Sequence, residues 1–393
     1  MTRAVVVGAG VLGACVAHHL ALAGVHVVVL EEARPAAGTS GATFSADVTH
    51  LKTPYAYYRL NRQGSDGHVR LADELDGAPW RHPVPLVQWA ADDAARRALR
   101  DKASRARGWG HACRLAPPSV LRDLAPAVDP DACAADEVVV HENTAWFDVP
   151  RLVDALLASA LRHGAEAHDG TPVTGLLRAG GRVTGAVAGE RRWPADVVVN
   201  CAGPAAARVA GFAGVRLPVR RVPGLVAECG PLAGGPLTAI VAAPGIDLRP
   251  TADGGVLALS WEVDARLGGI VGGGVDGLPR ELHRRARTVV PALRSAAVAD
   301  ARVGVRPVPL DGLPLVGAVP RAPGLYHLVS HSAVTLAPVL GRLAAREIAT
   351  GRPVPELAAY RPDRPVPGDV QDENLRAMDR HRPASAPDSR PEV

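Results

Sequence analysis

The chain has 393 residues, 47 % of them hydrophobic, and a formal net charge of +4. That supplies a large core, in two or three domains or two interleaved ones, while no apolar stretch reaches the roughly 18–20 residues of a membrane-spanning helix. Lys52 and Lys102 are the only lysines, and the arginines that carry the rest of the positive charge are interspersed with acids, which argues against a nucleic-acid partner.

Residues 4–7 are apolar and run into Gly8-Ala9-Gly10-Val11-Leu12-Gly13. A helix follows, with Val16, Leu20 and Ala23 on one face and Gly24 as its stop, and then a second apolar strand, 27–30, leads to Glu31. Strand, glycine turn, helix, strand and acid is the order of a dinucleotide site. Gly8 turns the chain off the strand, Gly10 lets a diphosphate approach the backbone, and Gly13 lets the helix lie close to the sheet. Val11 and Leu12 open the helix, whose unpaired N–H groups and positive dipole end face the phosphates. Glu31 lies 18 residues after Gly13, within reach of a ribose diol, and Glu32 competes for that role. Period-two alternation does not separate them, because the strand is apolar throughout, as a buried parallel strand is. Glu31 is preferred as the first acid after the strand. A strand starting at residue 4 leaves no room for a signal peptide, so a cytoplasmic location is expected.

A loop rich in small and hydroxyl residues, 38–43, comes next. Residues 55–77 read as a helix with Tyr58, Leu60, Val69, Leu71 and Leu75 as apolar positions, 84–89 as a strand, 93–107 as a helix and 138–140 as a strand. Asp148 caps a helix whose stripe is Leu152, Ala155, Leu156, Ser159 and Ala160. Strands are expected at 172–177 and 182–188 around a Gly180-Gly181 hairpin turn, then at 196–203, 222–228, 239–242 and 256–261. The glycine-rich 268–277 reads as a flexible loop, 279–293 as a basic helix, and 303–340 as strand, turn, strand, loop and helix. From about Tyr360 the chain is rich in Pro, Arg and Asp and reads as a largely disordered tail.

The five cysteines are dispersed with no CxxC pair, which argues against a disulfide framework and a zinc site. Cys15 and Cys201 read as small buried residues. His18-His19 and His327/His331 lack the spacing of an HExxH site, so no metal is expected.

Four stations together resemble the D-amino-acid oxidase, glycine oxidase and sarcosine oxidase family of FAD-dependent oxidoreductases, over about residues 3–352. They are the Gly8/Gly10/Gly13/Glu31 fingerprint, the Gly38-Thr39-Ser40-Gly41 loop, the strand ending at Ala202-Gly203, and Gly304-Val305-Arg306-Pro307 with Asp311 to Gly317, His331 and Leu336-Ala337-Pro338. The resemblance implies an α/β fold: a Rossmann-like FAD-binding domain from 1–80, 148–216 and 300–360, and an interleaved mixed β-sheet substrate domain from 81–147 and 217–299, with 361–393 as the tail. It implies cofactor contacts from Gly8, Gly10, Val11, Leu12, Gly13, Glu31, Glu32, Thr39, Ser40, Gly41, Val173, Ala202 and Gly203. Ser332, Ala333, Val334, Thr335 and Leu336 would offer backbone N–H groups to the flavin edge, where such donors stabilise negative charge.

The implied chemistry is hydride transfer from the carbon bearing an amine to flavin N5, followed by hydrolysis of the imine, with oxygen or another electron acceptor. The implied substrate is an amine or amino acid. Arg306 would pair its guanidinium fork with a substrate carboxylate. Arg249 is a second pocket candidate, and His331 falls where relatives carry a Gly-His pair beside the flavin. Ser330 stands in place of that glycine, and the loop after His331 is shorter than in many relatives. Pro307-Val308-Pro309 stands where sarcosine oxidases attach FAD through cysteine, and 38–45 lacks a histidine, so the FAD is expected to be dissociable. Oxidation of a 2-hydroxy acid or other alcohol, and a non-catalytic flavin-binding subunit, are the alternatives.

Overall fold

A computed structural model describes residues 2–75, 77, 79–267 and 275–365. The opening strand Arg3–Val7 is the centre of a six-stranded sheet. On one side it pairs in parallel with His26–Leu30, and that strand with Glu166–His168; on the other it pairs in parallel with Val197–Asn200, then Leu325–Val329, with Leu315–Ala318 antiparallel at the edge. Both faces are covered. Ala4, Val6, Val27 and Val29 point into one core, and Val5, Val7, Val28 and Leu30 into another. That double burial is why these strands read as unbroken apolar runs.

The first core is filled by four helices, Val11–Leu22, Tyr55–Glu74, Val149–Arg162 and Ala333–Thr350. Val11–Leu22 is buried nearly all round, so the expected stripe ending at Ala23 is too narrow; Ala23 itself is exposed and lies beyond the helix. Asp148 caps Val149–Arg162 as expected, accepting from the Arg151 N–H at 3.2 Å. The opposite face carries the antiparallel strands Gly175–Ala179, Arg182–Ala188 and Arg191–Pro194. Gly180 and Gly181 both have positive φ, as a two-residue hairpin turn requires. Val173 precedes the strand expected to contain it, and Glu166–His168, too short and too polar to stand out, was not anticipated.

The second layer is an eight-stranded mixed sheet. Its order is Val298–Pro309, Val219–Cys229, Val256–Leu259, Ile246–Pro250, Ile240–Ala243, Leu86–Gln88, Val138–His141 and Cys113–Ala116. The Ile240–Ala243/Leu86–Gln88 pair is parallel and all its other neighbours are antiparallel. Leu278–Val289 packs on one face through Leu278, Leu282, Ala286 and Val289. Strand Val298–Pro309 pairs along its length with Val219–Cys229, so the chain returns to the first layer after 309 and not at 300. The loop at 38–43 fastens the layers. Thr39 Oγ1 donates to the Val305 carbonyl (2.5 Å), Arg302 donates to the Gly41 carbonyl (3.2 Å), and Gly304 faces the Ala42 carbonyl with no room for a side chain.

Two expectations fall partly outside the described residues: the loop at 268–277, of which 268–274 are not described, and the tail from 366 onward. At 361–365 the expectation of disorder is corrected. Arg361 pairs with Glu347 (2.6 Å) and Arg364 with the buried Asp311 (2.8 Å). Val69, expected in the buried face of Tyr55–Glu74, is exposed, and Tyr57 takes the core position. Among the described residues no helix is long and apolar enough to cross a membrane.

Helix Tyr55–Glu74 meets Ala333–Thr350 at Gly64, where an added Cβ would strike the Thr335 carbonyl, and at Gly67, where it would come within 2.7 Å of Pro338. Gly108 faces open space. Gly64→Ala is expected to lower the unfolding free energy by about 1–3 kcal/mol. Gly108→Ala should cost nothing and gain up to about 1 kcal/mol. Equal urea midpoints for the two variants would contradict this account of the packing.

Candidate active site

A cleft of about 1320 Å³, counted to its open mouth, runs along the carboxyl ends of the four central parallel strands. Val7, Leu30, Cys201 and Leu328 mark those ends in its wall. This is where open α/β sheets bind ligands. Gly8 has φ +100°, a conformation that favours glycine, and a side chain there would come within 2.7 Å of the Cys201 carbonyl. Gly8, Gly10, Val11 and Leu12 all line the cleft. Gly13 does not; it lies behind the turn, where any Cβ would collide with the Gly8 carbonyl, and it sets the closeness of helix to strand.

Glu31 and Glu32 both reach the wall but are held differently. The two oxygens of Glu31 accept from the Ala9 N–H (2.7 Å) and the Ala33 N–H (3.0 Å), fixing the carboxylate across the glycine turn. Glu32 is exposed and pairs with Arg208 at 3.3 Å. Ser40 Oγ accepts from the Val11 N–H at 3.0 Å and sits 3.1 Å from where a Gly10 side chain would begin. The hydroxyl therefore occupies the start of the first helix, a contact the glycine spacing did not announce.

Thr39, Ser40, Val173, Ala202 and Gly203 also line the cleft, together with His331, Ala333 and Val334. Ala333 and Val334 open the last helix, so two helix N-termini, with their unpaired N–H groups, converge on one cleft. His68 Nε2 meets the Val334 carbonyl at 2.9 Å and steadies that turn. The expectation for Leu336 is corrected by the helix itself: its N–H is bonded to the Ser332 carbonyl (3.1 Å) and its side chain is in the core. Thr335 is buried with its carbonyl against Gly64, in the first turn, where backbone N–H groups have no partner within the helix. Neither lines the cleft, nor does Ser332, the residue just before the helix.

His331 is biased toward its neutral form. Burial pushes its imidazole well below the usual range, and the charges of Lys52 and Arg306 push it further. Its Nδ1 has no hydrogen-bond partner among the described residues. Pro307 lines the cleft, whereas Arg306 lies just beside it on strand Val298–Pro309. The Arg306 guanidinium stacks over Trp261 (4.9 Å), donates to Asp264 (2.6 Å) and makes a longer bond to the Pro223 carbonyl (3.4 Å). A side chain at Gly224 would occupy its space.

Arg249 is not in this cleft. It is buried in a second cavity with Gly41, where it donates to the carbonyls of Phe44 (2.5 Å) and Pro250 (2.7 Å) and lies over Trp146 (4.6 Å). Burial lowers its pKa to about 9, with the neighbouring Glu228 acting in the opposite direction. Thr43, which no motif flagged, touches both cavities.

A glycine turn free of side chains, a fixed carboxylate at one end, two helix N-termini and an unpartnered imidazole suit a flavin dinucleotide: an anionic diphosphate, a ribose diol and a polar ring. Residues 3–347 match the family described as DAO, FAD dependent oxidoreductase. Glycine oxidase from Pseudomonas aeruginosa is 29 % identical over 379 residues, covering 92 % of this chain and 98 % of that one. Among solved structures, glycine oxidase from Geobacillus kaustophilus superposes with a TM-score of 0.81 at 22 % identity, over 93 % of this chain and 100 % of the other. L-proline dehydrogenase from P. horikoshii gives 0.80 at 19 % identity, over 94 % and 99 %. The family match takes in both sheets and the whole cleft wall from Val7 to Val334, and the chain belongs to the DAO family of FAD-dependent oxidoreductases.

Proposed function

We propose that this chain oxidises the C–N bond of a small amino acid or related amine, with FAD held non-covalently in the cleft. The observation that carries the reading is His331, a neutral imidazole in the cleft wall with Nδ1 unpartnered among the described residues and the Arg306 fork nearby. When bound, FAD supplies the hydride acceptor. The chain's own residues do the rest. Glu31 would accept from a ribose diol, and Gly8, Gly10 and the Leu12 amide would surround the diphosphate, with the Val11 amide held by Ser40.

His331 Nδ1 is suited to hydrogen-bond a substrate N–H. An imidazole held so far below its usual range is a poor base toward an ammonium ion, so the amine must react neutral. Neutralising an amine whose pKa lies about two units above ambient pH costs roughly 2.7 kcal/mol, which a partly desolvated cleft offsets. Arg306 supports a substrate with a carboxylate, because its planar fork is pre-set by Trp261 and Asp264. The likeness to glycine oxidase supports an amino acid with a small side chain.

The reading is tested by anaerobic mixing of the reconstituted protein with D- and L-amino acids, N-methyl amines and 2-hydroxy acids, following the flavin absorbance. Bleaching by amino acids or amines is expected, and His331→Asn should slow it no more than about tenfold. Bleaching by hydroxy acids alone, abolished in His331→Asn, would move the assignment to alcohol oxidation. No bleaching by any of them would leave a flavin-binding subunit.

Arg306→Lys is expected to raise KM for carboxylate-bearing substrates about 10- to 100-fold, the equivalent of about 1.5–3 kcal/mol for a lost charged pair. Amines without a carboxylate should change little. Equal losses for both classes would make Arg306 a structural partner of Asp264 only.

Asp247 shares Trp261 and Asp264 with this arginine as neighbours. Burial pushes its carboxyl up to about 7, against the pull of a Trp261 hydrogen bond, and Asp264 adds to the rise. An unfolded Asp has released its proton by about pH 4, while the folded one keeps it to about 7. The folded state therefore binds the extra proton, and stability falls as pH rises through that window. Asp247→Asn is expected to raise Tm by about 2–4 °C above pH 7, with the difference vanishing near pH 4. A gap that widens on acidification would reverse the assignment.

A further inference from the structure

We propose that His50, His111 and His141 form a binding site for one divalent transition-metal ion of zinc-like ligand preference, separate from the flavin cleft. The three residues come from distant parts of the chain. His50 lies in the short turn Thr49–Leu51, His111 in the loop after helix Asp93–Gly108, and His141 at the end of strand Val138–His141. None of them lines the cleft. One ring nitrogen from each lies within 4.8 Å of the other two, and His111 Nε2 and His141 Nδ1 are 3.1 Å apart. The His50 and His141 rings stack at 3.8 Å.

Two features favour a metal over a merely packed cluster. All three residues are buried, with exposures of 5 %, 5 % and 2 %. Hydrogen bonding leaves the cluster under-satisfied: one nitrogen of each ring (His50 Nδ1, His111 Nδ1 and His141 Nε2) has no partner among the described residues, and the other nitrogens of His111 and His141 meet each other, whereas buried polar atoms in folded proteins almost always have a partner.

Tetrahedral zinc with Zn–N bonds of about 2.0–2.1 Å separates its donors by about 3.3 Å, so coordination would replace the 3.1 Å His111–His141 hydrogen bond and draw in the wider spacings, which lie within 4.8 Å. Three imidazoles leave a fourth position for water. The buried Asp47, which draws the His111 pKa upward, supplies a compensating negative charge. It is oriented by the Thr49 N–H (3.0 Å) and hydroxyl (2.6 Å). Lys52 and Lys102 act on His50 in the opposite sense and weaken the site for any dication. The ion would join the segment following the cleft loop to the edge of the eight-stranded sheet. No local spacing links the three histidines; only the fold brings them together.

The test uses the full-length, FAD-loaded protein after removal of metals with a chelator. Equilibrium dialysis against ZnCl2 followed by elemental analysis should give one zinc per chain. CoCl2 should produce the visible difference bands of a four- or five-coordinate nitrogen site. His111→Gln and His141→Gln, scored for folding by retained flavin absorbance, should each weaken binding at least tenfold. Absence of saturable binding or of cobalt bands in the unaltered protein overturns the proposal. So does one-to-one binding that survives in both variants. Should either variant lose its flavin, His50→Gln and the cobalt spectrum of the unaltered protein carry the same decision.

Discussion

The nucleotide layer depends on how closely separate stretches of backbone approach one another at the first turn. Gly13 rests on the Gly8 carbonyl, and Gly8 rests against the Cys201 carbonyl. Neither approach leaves room for a methyl group. Together they fix the first helix against the strand it follows and fix the turn against the strand that ends at Asn200. The same economy is repeated further out. Gly341 of the last helix lies where a side chain would come within 2.7 Å of Cys15 Sγ, and Gly64 abuts the Thr335 carbonyl. A run of close contacts thus stacks three helices, and its end point is the placement of Ala333 and Val334 at the cleft opened by the first turn.

Much of this was legible because it is local. Turn, helix and acid follow one another within about thirty residues, and each has a reason that short-range geometry supplies. The preference for Glu31 over Glu32 rests only on its being the first acid after the strand, since a strand buried on both faces carries no alternation to set the register. In the fold the Ala9 and Ala33 amides hold Glu31, one of them 22 residues away, while Glu32 pairs with Arg208. The resemblance implies flavin contacts from the whole run 332–336, but a helix starts at Ala333, and by Leu336 the N–H has passed to the helix ladder. The partners of Arg306 were out of reach for another reason: Trp261, Asp264 and Gly224 come from other strands and turns, and no periodicity links them.

The electrostatics of the site follow from burial more than from net charge. Arg306 and Asp264 neutralise each other while remaining directional. His331 is uncharged, and Arg249 is confined to a separate cavity by two carbonyls and an indole. The chain therefore brings few free charges to the reacting region. Its polarity comes from backbone amides at two helix starts, groups that keep the same character across the pH range.

The five residues 361–365 give a different kind of information. Arg361 and Arg364 serve as counter-ions to Glu347 and Asp311, carboxylates that the last helix and the turn before Leu315–Ala318 place out of solvent. Shortening the chain to residue 360 would strip two interior anions of their balancing charge, although no cleft residue would be lost. The boundary of the cooperative unit is set by charge neutrality, several residues past the point where the hydrophobic pattern stops.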